Sequence, residues 1–144
     1  AVDDLAVGSR VEVGLARDEA WRELLSRIRR GTGVAVDYGH LRAARPTAGT
    51  LAAYRAGTRV GPVPDGTCDL TAHVAVDSLD HDELLPQHEA LRRLGVSTRL
   101  PPRGSAAADP AAYLAAVAAA STASALTDPG GLGGFWWAIA RVPR

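Results

Sequence analysis

An α/β fold with strands buried in a parallel sheet is the class this sequence predicts, on three observations. Residues 10–38 read strand, helix, strand, the order of a βαβ unit. The run at 33–38 is nearly all apolar, as expected of a strand covered on both faces. The chain closes on an aromatic, β-prone run at 135–142.

The elements follow in order. Residues 10–15 alternate apolar and polar side chains, the period of a short strand. A helix is expected over 18–30. Asp18 and Glu19 suit the positive end of its dipole, and Trp21, Leu24, Leu25 and Ile28 fall on one face. Arg29 and Arg30 favour its last turn, and Gly31 can take the left-handed cap. The apolar strand at 33–38 ends at Asp37, Tyr38 and Gly39. Residues 41–66 are punctuated by proline and glycine and read as irregular, with a short helix at 50–55. Residues 67–76 read as extended. A helix is expected over 84–94, stopped by Gly95, then a linker at 101–109. Asp109 as N-cap and Pro110 at the first position open an Ala-rich helix to 125. Residues 128–134 form a glycine-rich turn, which precedes a strand and so lacks the context of a nucleotide-binding loop.

Composition narrows the function. The 144 residues fit about one domain and carry zero formal net charge. A binder of nucleic acid or anionic membrane would show a basic excess, so neither is expected as a partner. All basic residues are arginine, which removes lysine as a Schiff base or general base. The single Cys68 excludes an intrachain disulfide. No apolar run reaches the roughly 20 residues of a membrane span, and the N-terminus lacks signal-peptide character. The expected location is the cytoplasm. His40, His73, His81 and His88 lack the short paired spacing of zinc ligands, so no metal is expected.

Two sets of residues could carry chemistry. Asp37 sits at the carboxyl end of an apolar strand, where open α/β sheets bind ligands, and Gly39 lets the backbone turn or approach closely. Asp37 could equally cap the following loop. Asp69, Thr71 and His73 alternate along an extended segment and could share one face as the polar wall of a pocket. They could equally form a solvent-facing strand edge, or an Asx turn at Asp69.

Several segments resemble, in order, the C-terminal part of the MidA family of S-adenosylmethionine-dependent methyltransferases, whose mitochondrial members act in assembly of respiratory complex I. VAVDYGH at 34–40 resembles that family's strand ending in Asp-Tyr-Gly. GTLAAYRAG at 49–57, VPDGTCDLTAHVAVDSL at 63–79, LLPQHEALRRLGV at 84–96 and GLGGFWWAIARVP at 131–143 resemble its later segments. Two departures stand out. The glycine-rich cofactor loop, the acidic ribose ligand and the family's Asn-Glu-x-x-Asp segment have no counterpart here. Residues 79–83 join two segments that the family separates by a helix and a turn.

The resemblance implies the C-terminal half of a Rossmann-like class I methyltransferase sheet, with residues 1–144 a single partial domain and fragment. Residues 41–66 and 77–128 would be irregular and helical inserts. It implies methyl transfer to a protein side chain, arginine by analogy with the mitochondrial relatives. That chemistry needs positioning and a desolvated, carboxylate-lined pocket more than a strong base. The implied catalytic residues are Asp37, Asp69 and Thr71. The implied substrate-binding residues are Tyr38, Gly39, Leu70, His73 and Gln87. S-adenosylmethionine would serve the intact protein without binding this chain alone. The expected partners are a protein substrate and the missing N-terminal half or a second copy. The alternative is a non-catalytic interaction module or structural remnant.

Overall fold

The computed structural model of the chain describes residues 7–9 and 13–143. They form two compact units, one of residues 1–83 with 138–144 and one of residues 84–137. The chain passes from one to the other between Glu83 and Leu84, and back between Trp137 and Ala138.

In the first unit, helix α1 spans Leu15–Ser26 and strand β1 spans Gly31–Asp37. Most of the strand expected at 10–15 lies outside the described residues, and its last residue, Leu15, opens α1. α1 also ends four residues before the expected Arg30. Arg27 caps it in the right-handed region, where Arg27 N–H donates to the Leu24 carbonyl oxygen and Ile28 N–H to that of Leu25. Gly31 does take positive φ, +148°, but as the first residue of β1 rather than as a helix cap. α1 covers one face of β1: a Cβ at Gly33 would lie 2.6 Å from Leu25 Cδ2 and 3.1 Å from Trp21 Cη2. The other face is open, with Val34 44% and Val36 43% exposed. The expectation of a strand apolar and covered on both sides is therefore half met. The apolar composition is there, but β1 lies at the edge of its sheet and one covering layer is absent among the described residues.

Beyond β1 the backbone forms β2 (Gly39–His40), which pairs in parallel with β6 (Val74–Ala75). Gly39 stands opposite Val74, and His40 opposite Ala75. Between them lie β3 (Ala52–Arg55), β4 (Thr58–Val60) and β5 (Asp69–Thr71), a small antiparallel sheet in the order β4-β3-β5. The helix expected at 50–55 is thus a strand. Ala56 and Gly57 both take positive φ, 49° and 75°, and close a two-residue hairpin that pairs Arg55 with Thr58. Two consecutive left-handed residues match the twist of the flanking strands, and that tertiary geometry overrides the helix preference of Leu-Ala-Ala. Ala53, at the centre of this sheet, is fully buried.

In the second unit, the helix expected at 84–94 is shortened by a strand. β7 occupies Glu83–Pro86, and α2 starts only at Gln87 and runs to Arg93. Pro86 serves as the N-cap with extended backbone, where its missing N–H costs nothing. Gly95 closes α2 with φ +85°. The short α3 (Ser105–Ala108) lies inside the expected linker. α4 (Pro110–Thr127) begins as expected, with the Asp109 carboxylate accepting from Ala112 N–H at 2.9 Å. It is the one helix among the described residues long and apolar enough to cross a membrane by length and composition, and only Ala120 and Ala123 of its residues are buried. β8 (Trp136–Val142) closes the chain, and its residues from Ala138 on belong to the first unit.

Candidate functional site

The carboxyl end of β1 gathers the residues with chemical potential. Side chains alternate across a strand, so Gly33, Ala35 and Asp37 face α1 while Val34, Val36 and Tyr38 face away. On the α1 side lies a hollow of about 290 Å³ lined by Arg17, Ala20, Trp21, Leu24, Ala35, Asp37, Val74 and Leu79; Val36, on the other face by strand alternation, also borders it. Its walls are chiefly apolar, and two charged groups border it.

Those two groups differ in their partners. Arg17 donates to Asp18 Oδ1 from Nε at 3.0 Å and from Nη2 at 2.7 Å, and also to Ser78 Oγ at 2.8 Å. Its charge is therefore largely answered. Trp21 is fixed by a 2.8 Å bond from its Nε1–H to the Asp80 carbonyl oxygen. Asp37 accepts one hydrogen bond among the described residues, on Oδ1 from Tyr38 N–H at 2.8 Å. The rest of its carboxylate is available to a donor.

On the other side of the same strand end, the Tyr38 and His73 rings meet edge to face, with centroids 5.4 Å apart and planes at 79°. Tyr38 carbonyl oxygen accepts from Val74 N–H at 3.1 Å, and His73 N–H donates to Thr50 Oγ1 at 2.8 Å. Gly39 makes this crossing possible. A Cβ there would overlap the Val74 carbonyl oxygen and lie 2.7 Å from Val76 Cγ1. Any larger residue would force β2 and β6 apart.

Tyr38, Gly39 and His73 are thus brought together on one side of the strand end, while Asp37 borders the hollow on the other. Asp69, Leu70 and Thr71 lie instead in β5, opposite Tyr54, Ala53 and Ala52 of β3. Asp69 and Leu70 are exposed and Thr71 is half-buried. Gln87 belongs to the second unit, where it is buried and its amide is engaged. Nε2 donates to the Leu126 carbonyl oxygen at 3.1 Å, and Oε1 accepts from Trp137 Nε1–H at 3.1 Å. Beside it, His88 Nδ1 lies 2.9 Å from the Gly133 carbonyl oxygen.

Three residues at the β1 end lie outside the set read from sequence. Arg17 and Trp21 line the hollow, and the helical periodicity that marked Trp21 as apolar face carries no sign of a cavity. His40 is only 7% exposed, and neither ring nitrogen has a hydrogen-bond partner among the described residues. No cluster of three or more His, Cys, Asp or Glu side chains suited to a metal occurs among the described residues.

Residues 2–94 match a family described as "Putative S-adenosyl-L-methionine-dependent methyltransferase". The chain belongs to that family. The match covers α1, β1 and the whole Asp37–His73 region, so the site just described falls within it. No curated protein matches the chain. Membership of this methyltransferase family implies S-adenosylmethionine as cofactor of the intact enzyme. The described residues do not fit that cofactor by themselves. They hold no glycine-rich loop leading from a strand into a helix, and the hollow offers one available carboxylate for a molecule that carries a ribose diol, an ammonium and a carboxylate.

Proposed function

We infer that this chain is the substrate side of a protein methyltransferase and that the methyl-accepting side chain is an arginine. The observation that carries the reading is the hollow between α1 and β1. Its apolar walls, from Trp21, Leu24, Ala35, Val74 and Leu79, suit the aliphatic stem of an arginine. Asp37, with most of its carboxylate unengaged, suits the guanidinium, which a carboxylate binds in a forked pair. Arg17 is occupied by Asp18 and so does not repel the incoming cation. In this reading Asp37 holds and orients the guanidinium. Tyr38, Gly39 and His73, across the strand end from the hollow, fix the backbone that carries Asp37, and Asp69, Leu70 and Thr71 of β5 border the path of the substrate polypeptide. Gln87 acts through packing rather than contact.

The cofactor-binding wall then comes from polypeptide outside these 144 residues. The open face of β1 at Val34 and Val36, and its position at the sheet edge, support that assignment. The same open face favours a second reading, a non-catalytic module that pairs with another half-domain or a second copy of this chain.

Labelled methyl transfer separates the two. A polypeptide extended upstream of Ala1 is incubated with methyl-labelled S-adenosylmethionine and arginine- or lysine-containing peptides. Label in methylarginine, cut at least tenfold by Asp37→Asn, is the expected result. Label on other residues, or an Asp37→Asn variant as active as its parent, overturns the arginine reading. No transfer at all favours the interaction module.

A further inference from the structure

Of the groups that the reading above leaves without a role, His40 departs furthest from what a folded chain ordinarily tolerates. A neutral imidazole always presents one N–H donor and one lone-pair acceptor. Both nitrogens of His40 are closed off from solvent, and neither finds a partner among the described residues. Leaving such a group unsatisfied costs about 1–3 kcal/mol, and native proteins rarely do so without a reason.

Its place in the fold supplies one. His40 follows the Asp37–Tyr38–Gly39 strand end directly. It is locked opposite Ala75 in the two-residue ladder whose other rung, Gly39 with Val74, admits no side chain. The ring is therefore held by a tight backbone crossing rather than by its own hydrogen bonds. The backbone beyond it is anchored separately, by Arg42 N–H donating to Asp77 Oδ2 at 2.7 Å.

We propose that His40 is a substrate-binding residue, whose imidazole hydrogen-bonds a backbone amide of the polypeptide being methylated. An amide carries both an acceptor and a donor, so it can complete whichever nitrogen it meets. It is also uncharged, so bringing it to a buried site avoids the desolvation cost of an ion. Because both nitrogens are closed off in the free chain, the contact forms only as the substrate displaces the wall over the ring. The inference rests on the methyltransferase reading.

The test uses the upstream-extended protein with His40→Leu, which keeps the bulk and removes both nitrogens. His40→Asn and His40→Gln place an amide near the position of Nδ1 or Nε2. The readouts are the thermal midpoint, the affinity for S-adenosylmethionine, and KM for an arginine-containing peptide. The leucine variant is expected to melt at the same temperature or a few degrees higher, because an unsatisfied pair is removed. Its KM is expected to rise about tenfold with S-adenosylmethionine affinity unchanged, and one of the two amide variants is expected to restore it. A midpoint lowered by several degrees shows that the ring has a structural partner and overturns the proposal. So does an unchanged KM in an active protein. A parent protein that transfers no methyl group overturns the function reading, and this role with it, whereas loss of peptide affinity confined to the leucine variant supports both.

Discussion

Gly39→Ala should damage the β1 end more than any other single methyl added to this chain. The new Cβ meets the backbone carbonyl of Val74, which cannot rotate aside, and lies 2.7 Å from Val76 Cγ1. Relief requires β2 and β6 to separate, which removes the parallel pairing of Gly39 with Val74 and His40 with Ala75 and strains the 3.1 Å bond from Val74 N–H to the Tyr38 carbonyl oxygen. Overpacking of this kind costs about 1–3 kcal/mol. Each backbone bond lost adds about 1 kcal/mol. The sum is about 2–4 kcal/mol, or a fall in melting temperature on the order of 10–20 °C for a unit of this size. Gly57→Ala is the control. Gly57 has left-handed φ, +75°, and a Cβ there meets nothing within 4 Å, so only the conformational cost of about 1 kcal/mol applies. Urea denaturation followed by circular dichroism measures both. Equal effects for the two substitutions, or a loss below about 0.5 kcal/mol for Gly39→Ala, would refute the steric argument.

Three further outcomes are expected. Gln87→Leu should destabilise the second unit by about 2–4 kcal/mol, because it strands both the Trp137 indole N–H and the Leu126 carbonyl oxygen; tryptophan fluorescence during denaturation reads the change. Asp109→Ala removes the N-cap bond to Ala112 N–H and should cost about 1 kcal/mol, visible as lost helical ellipticity at 222 nm. Glu89 is held below its usual value of 4.5 by the hydrogen bond from Arg93, aided by the charge of the same residue. A depressed carboxylate stabilises the fold above the unfolded value and loses that contribution as pH falls through the folded one. α2 should therefore loosen below about pH 4.5, a trend that Glu89→Gln should lack in amide hydrogen exchange.

Much of the fold was legible where side-chain chemistry and local geometry agree. Asp109-Pro110 marks the start of α4 because a capping carboxylate and a proline without N–H both belong there. The aromatic run marks β8 because bulky side chains fill a pleated surface. Legibility failed where tertiary pairing decides. Leu84-Leu85 fits a helix as readily as a strand, and its neighbours in the sheet make it β7. The Ala56-Gly57 hairpin lacks the Asn-Gly signature that would have announced it. At the site, Asp37, Tyr38, Gly39 and His73 stood out as polar or flexible residues around strand ends. The hollow, the engagement of Arg17 and the unpartnered ring of His40 depend on which residues meet across the fold, and no spacing in the sequence encodes them.

The central claim is that this chain carries the substrate side of a methyltransferase whose cofactor wall lies elsewhere. Calorimetric titration with S-adenosylmethionine tests it most directly, on this chain and on a polypeptide extended upstream of Ala1. The account predicts no saturable heat with residues 1–144 alone and micromolar binding by the extended protein. Micromolar binding by the 144 residues alone would contradict it.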